Sequence, residues 1–166
     1  MPVIIDGHNL LWSIGNAEEA PSITDAALCR ILDRYFGVVG ERAEIIFDGT
    51  GPPNKTEFDN IRNLEVTFSG RKSDCDTVIE QRILASTAPR RLTIVSSDRR
   101  LRNAAAARKA KAVKSEDFWG DVEKRLAKQR KSKEPSGKRG GLTESETELW
   151  LKAFGLGQQD TVTDGT

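Results

Sequence analysis

The chain has one histidine and two cysteines in 166 residues, and these shortages exclude chemistry before any motif is considered. Ser-His-Asp catalysis would have to run through His8 alone. Cys29 and Cys75 are far apart and belong to no pair motif. A disulfide is not expected of them in a reducing compartment. Two thiols and one imidazole also fall short of the four ligands of a zinc site unless carboxylates join them. No apolar run approaches the roughly 18 residues that span a bilayer. The first residues pass directly into Val3-Ile4-Ile5-Asp6, with no basic leader or cleavage site. A cytoplasmic, unprocessed protein with no membrane role is expected. No G-x-G-x-x-G follows the first apolar run and no P-loop is present, which removes the common nucleotide-cofactor folds.

What is present is charge, at 31% of residues against 37% hydrophobic. The length suits one domain with a buried core plus an appendage. The net charge of +1 hides an asymmetry. Residues 99–139 hold 15 Lys or Arg against 5 Asp or Glu, and the remainder is correspondingly acidic. Such a split suits a polyanion-facing surface beside an acidic site, although a solvated helix face and a basic linker would give the same count.

Short β-branched or apolar runs alternate with helical spacing along the chain. Strands are expected at Val3–Ile5, Ala43–Phe47, Leu64–Phe68 and Leu92–Val95, with a short one near Ala112-Val113. Gly7 to Pro21 reads as a loop. Helices are expected after Ser22, from Ser73 to about Ala85, from Asp98 to about Ala110, and from Ser115 to about Gln129. This order predicts an α/β fold, a three-layer α/β/α sandwich with a mainly parallel central sheet. Residues 1–127 form the expected domain and 128–141 a flexible basic linker. Residues 142–155 form a terminal helix bearing Trp150 and Phe154, and 156–166 a disordered tail.

The acids fall in a pattern. Asp6 and Asp48 each follow an apolar strand directly and Asp98 follows one after Ser96-Ser97, and ligands of open parallel sheets bind at the carboxyl ends of strands. Asp76, in the first turn of its helix, can lean toward the same edge. Grouped carboxylates repel one another unless a cation lies among them, and an all-oxygen set suits Mg²⁺ or Mn²⁺. Singly, each acid has a plainer role: Asp98 and Asp76 as helix-start residues, Asp6 and Asp48 as turn residues. Capping alone, however, does not require three strand-end acids on one edge. Asn9, Asp74, Glu80 and Ser97 are the polar residues placed to support the four, with Ser96 and Ser97 also suited to capping. Arg71, Lys72, Arg99, Arg100 and Arg102 are near enough in sequence to contact phosphate, and solvation explains any one of them equally.

Taken together, Asp6-Gly7-His8-Asn9-Leu10-Leu11, Phe47-Asp48-Gly49, Ser73-Asp74-Cys75-Asp76-Thr77-Val78-Ile79-Glu80 and Val95-Ser96-Ser97-Asp98 resemble the successive motifs of the bacterial YacP-like NYN domain. The resemblance runs from Met1 to about Leu126. It implies a PIN-like fold and metal-dependent endoribonuclease activity, with the acidic site on Asp6, Asp48, Asp76 and Asp98 and with Asn9 in support. Relatives often carry Tyr where His8 stands and a non-acidic residue where Asp74 stands. The basic linker and terminal helix lie outside the resemblance.

The expected function is therefore hydrolysis of RNA phosphodiester bonds through a carboxylate-bound Mg²⁺ or Mn²⁺ and an activated water. RNA is the expected partner, and the ribosome is one body that the Trp150–Phe154 helix could serve; the same helix could equally pack on its own domain. Two rivals stand beside this reading: a non-catalytic RNA-binding adaptor that keeps the fold, and a DNA flap nuclease. The Phe47-Asp48-Gly49-Thr50 stretch has the look of a phosphatase D-G-T signature, but Ile46 occupies the place of its nucleophile.

Overall fold

A computed structural model describes residues 2–15 and 23–133. Five strands form one parallel sheet: β1 (Val3–Asp6), β2 (Ala43–Phe47), β3 (Leu64–Phe68), β4 (Thr93–Val95) and β5 (Lys111–Val113). Their spatial order is β3-β2-β1-β4-β5. The order reverses beside β1, which makes that strand the centre of the sheet and its carboxyl end the expected ligand crevice.

The strands alternate between two cores with period two. Val3, Ile5, Ile45, Phe47 and Val95 pack on one face, beneath helices α1 (Gly7–Gly15), α2 (Asp25–Val39) and α5 (Ser115–Lys133). Ile4, Ile46 and Ile94 pack on the other, beneath α3 (Cys75–Ala85) and α4 (Arg99–Ala107). The result is the three-layer α/β/α sandwich expected, with β1 buried along its whole length. No helix among the described residues is long and apolar enough to cross a membrane.

Three local expectations change. Residues 7–15 are helical, not loop. Gly-His-Asn reads as a turn signal, but Leu10 and Ile14 sit four apart and both bury against the first core. Second, α2 is capped by Thr24, whose hydroxyl accepts from Ala27 N at 3.2 Å; Ser22 lies outside the described residues. Third, α5 runs on to Lys133, so the first residues of the expected linker continue a helix. The rest of that linker, the 142–155 helix and the tail lie outside the described residues.

The turn from β1 to α1 has no intervening residue, and Gly7 is what permits it. A Cβ there would run into the Phe47 ring and come within 3.0 Å of the Ile46 carbonyl oxygen. Both belong to the neighbouring strand, so neither can retreat cheaply. Gly7→Ala should lower stability by about 1–3 kcal/mol, the usual cost of overpacking a filled core. Urea denaturation checks this, and an unchanged midpoint would show that the strand end has slack.

Candidate active site

Asp6 ends the central strand and is buried, at 5% exposure. Its Oδ1 accepts from the Asn9 backbone N–H at 3.2 Å, so it caps the first turn of α1. Its Oδ2 accepts from the Ser96 hydroxyl at 3.1 Å, and Ser96 Oγ in turn accepts from the Asp98 N–H at 3.1 Å. The fully buried Ser96 thus ties the ends of β1 and β4 together. The Cys75 thiol lies 3.6 Å from Asp6 Oδ1 and 3.2 Å from the Ile46 carbonyl oxygen, and its single proton is shared between the two acceptors. Burial first, then the charges of Asp6 and Asp48, push that thiol far above its ordinary pKa, so it stays protonated.

Asp48, past the end of β2, accepts from the Cys75 N–H at 2.5 Å. On its other side His8 Nδ1 accepts the Asp48 N–H at 3.2 Å. The same Nδ1 lies 3.5 Å from Asp48 Oδ2. His8 therefore positions the strand end. Asp98 Oδ1 accepts from Arg100 N at 2.7 Å and Leu101 N at 3.4 Å, capping α4. Asp74 caps α3 by accepting from Thr77 N at 2.7 Å; the expected Ser73 start is displaced by that aspartate.

Asp76 is the acid with no capping duty. Its carboxyl is pushed up to about 6, first by burial and then by the charges of Asp6, Asp98 and Asp74, with Arg100 opposing. Burial likewise raises Asp6, with Asp48 adding to it. The four strand-end and helix-start acids are thus close enough to feel one another, at an edge where the N-termini of α1, α3 and α4 converge. The positive ends of those helices offset part of the repulsion.

The donor set is all oxygen and carries surplus negative charge, which suits a hard divalent cation. It is not a closed cage: among the described residues, no group of three or more His, Cys, Asp or Glu side chains is gathered as a metal site.

The supporting residues divide. Asn9 Oδ1 accepts from Ser97 N at 2.8 Å and from the buried Ser115 Oγ at 2.7 Å, locking α1, the β4–α4 turn and α5 together. Ser97 Oγ donates to Glu116 at 2.6 Å. Glu80 faces away into a two-pronged pair with Arg100, at 2.7 and 2.6 Å. That pair engages the Arg100 guanidinium, while Arg71, Lys72 and Arg99 remain exposed. Arg102 is half-buried, and its Nε has no hydrogen-bond partner among the described residues. The sequence reading overlooked Cys75, Ser115 and Glu116 as parts of this site. Cys75 carried one available signal, since it sits between two of the quoted acids.

The comparisons with known proteins agree with this architecture. A family model described as the YacP-like NYN domain matches residues 3–152, further than the sequence motifs reach and into the basic segment and terminal region. Two crystal structures of Rae1 (YacP) from Bacillus subtilis share the fold. One, a tryptophan-to-leucine variant, has a TM-score of 0.60 and 19% identity, with 93% of this chain and 92% of that one covered. The other has a TM-score of 0.63 and 18% identity over 80% and 79% of the two chains. Among curated proteins, none matches.

The raised carboxyls have a consequence for stability. Between the ordinary 3.8 and about 6, folded Asp76 holds a proton that the unfolded chain has released. Stability then falls as pH rises through that window. Urea midpoints in EDTA should decline from about pH 4 to about pH 6. Asp76→Asn should flatten the decline and exceed the wild type in stability at neutral pH. An equal decline in both proteins would refute a coupling centred on Asp76.

Proposed function

This chain belongs to the YacP-like NYN domain family, a family of PIN-like nucleases, and from that premise we propose that it is a metal-dependent endoribonuclease. What supports the reading is the linkage of the acids along one sheet edge: Ser96 bridges Asp6 to the Asp98 N–H, Cys75 bridges Asp6 to Asp48, and Asp76 is pushed up to about 6 by burial and then by Asp6, Asp98 and Asp74. A fold maintains such repulsion at a cost, and a divalent cation removes it.

In this reading Asp6, Asp76 and Asp98 would hold Mg²⁺ or Mn²⁺, in part through its retained waters, with Asp48 in direct or water-mediated contact. Such an ion, when bound, would supply a water of lowered pKa and would offset charge on phosphoryl oxygens. The protein's own groups do the rest. Ser96, the Asn9 N–H and Cys75 fix the rotamer of Asp6. The Asn9–Ser97–Ser115 knot holds the β4–α4 turn that carries Asp98. Arg71, Lys72, Arg99 and Arg102 draw the RNA backbone in, and binding that rests on them weakens with salt. Arg100 stays with Glu80 and moderates Asp76.

The test is cleavage of end-labelled RNA with Mn²⁺ or Mg²⁺, with and without EDTA. The wild type should leave 5′-phosphate and 3′-hydroxyl ends, because the attacking oxygen comes from water. Asp76→Asn and Asp98→Asn should lose about a hundredfold or more in rate, the scale of one lost transition-state charge contact, while remaining folded. Cyclic 2′,3′-phosphate products would contradict the scheme. Binding of RNA with no cleavage under any divalent metal would overturn it in favour of an adaptor. Competition with DNA decides between RNA and flap substrates.

A further inference from the structure

We propose that the cleft at the β2–β3 edge is a nucleobase subsite, which takes one unpaired base of an RNA strand whose phosphate lies over the carboxylates. The inference rests on the nuclease reading for its substrate class and adds to it a preference for single strands. The cleft holds about 310 Å³ and is lined by Thr50, Lys55, Phe58, Val66, Phe68 and Gly70. That is the small end of the ~300–1,000 Å³ range of ligand pockets, and it admits one base rather than a helix.

Its position ties it to the acids. Thr50 is two residues past Asp48. The two loops that frame the cleft are pinned together, Gly49 N–H to Ser69 Oγ at 3.1 Å and Gly70 N–H to the Gly49 carbonyl at 2.9 Å. Cleft and carboxylates therefore share one rim. The wall is aromatic and held in place. Phe68 stacks on Phe47 with centroids 5.8 Å apart and meets Phe58 edge to face at 5.6 Å. Gly51, at φ +71°, lies against the Phe68 ring so closely that a Cβ would come within 2.8 Å of three ring carbons. Phe58 closes a single 3-10 turn, Thr56–Phe58, and forms the second aromatic wall.

The charge is right for a nucleotide. Lys55 Nζ lies over the Phe68 ring, 5.3 Å from its centroid, so the ammonium caps that ring on the cleft side and leaves Phe58 as the face on which a base stacks. Recognition of single-stranded RNA uses this pair of elements, an aromatic face for the base and a cation for the adjoining phosphate. A paired base stays inside its duplex and cannot enter. An apolar ligand would gain nothing from Lys55, and a bare anion nothing from the two phenyl rings.

Fluorescence anisotropy with a labelled single-stranded RNA octamer tests this, in Ca²⁺ so that the carboxylates are neutralised, with the strand checked by gel to be intact after each titration. Phe58→Ala should weaken binding about five- to tenfold, the effect of one lost stacking contact, and Phe58→Trp should restore it. An octamer with one abasic ribose should bind the wild type more weakly by the same factor at one position, and Phe58→Ala should not distinguish it from the intact strand. Lys55→Ala should reduce the salt dependence as well as the affinity. Additive effects of Phe58→Ala and the abasic ribose would overturn the subsite. So would no binding by the wild type, or equal loss with double-stranded RNA. The two readings fail separately. Base-dependent binding without cleavage in Mn²⁺ refutes the nuclease and leaves the subsite, while cleavage blind to base and to Phe58 does the reverse.

Discussion

The arrangement of this protein depends on one buried carboxylate. Asp6 ends the central strand, and three partners from three parts of the chain hold it: the Asn9 N–H of α1, the Ser96 hydroxyl after β4 and the Cys75 thiol of α3. A buried charge without such donors would be protonated or the site would rearrange. With them, the carboxylate is a fixed point to which both layers of helices are referred. The contact also explains the direct passage of β1 into α1, since the residue that ends the strand is the one that caps the helix.

Capping and site formation are one arrangement here rather than rivals. Asp6, Asp74 and Asp98 each satisfy orphan N–H groups at a helix start, and each thereby lies at the carboxyl edge of the sheet. A parallel α/β fold points its helix N-termini toward that edge. Acids recruited as caps are consequently gathered where their charges meet. The convergence of dipoles makes the gathering tolerable but does not neutralise it, as the raised carboxyls of Asp6 and Asp76 record. The fold holds unfavourable electrostatics at one edge and compensates through the two hydrophobic cores, a division common where function opposes stability.

Around the acids the surface is graded. Arg100 is engaged with Glu80 and shapes the field at Asp76, while Arg71, Lys72 and Arg99 stand exposed. On the β2–β3 side a cleft walled by Phe58 and Phe68 replaces charge with stacking area.

Much of this was legible from residue order. Val3-Ile4-Ile5-Asp6, Ile45-Ile46-Phe47-Asp48 and Thr93-Ile94-Val95 followed by Asp98 announce strands that end in acids, and period-two burial with helices between them leaves little choice but a parallel three-layer sheet. The sequence by itself therefore determined the fold class, the strand ends and the identity of the acids, because these follow from local hydrophobic pattern. It did not reveal α1, whose first residues look like a turn, nor the work of Cys75 and Ser115. Their partners stand 69 residues away for Cys75 with Asp6 and 106 for Ser115 with Asn9. Only the tertiary structure decided which donors hold Asp6, which arginine is engaged, and that Phe58 and Phe68 frame a cleft beside Asp48. Those contacts join segments brought together by chain folding, and no spacing along the chain encodes a distance across it.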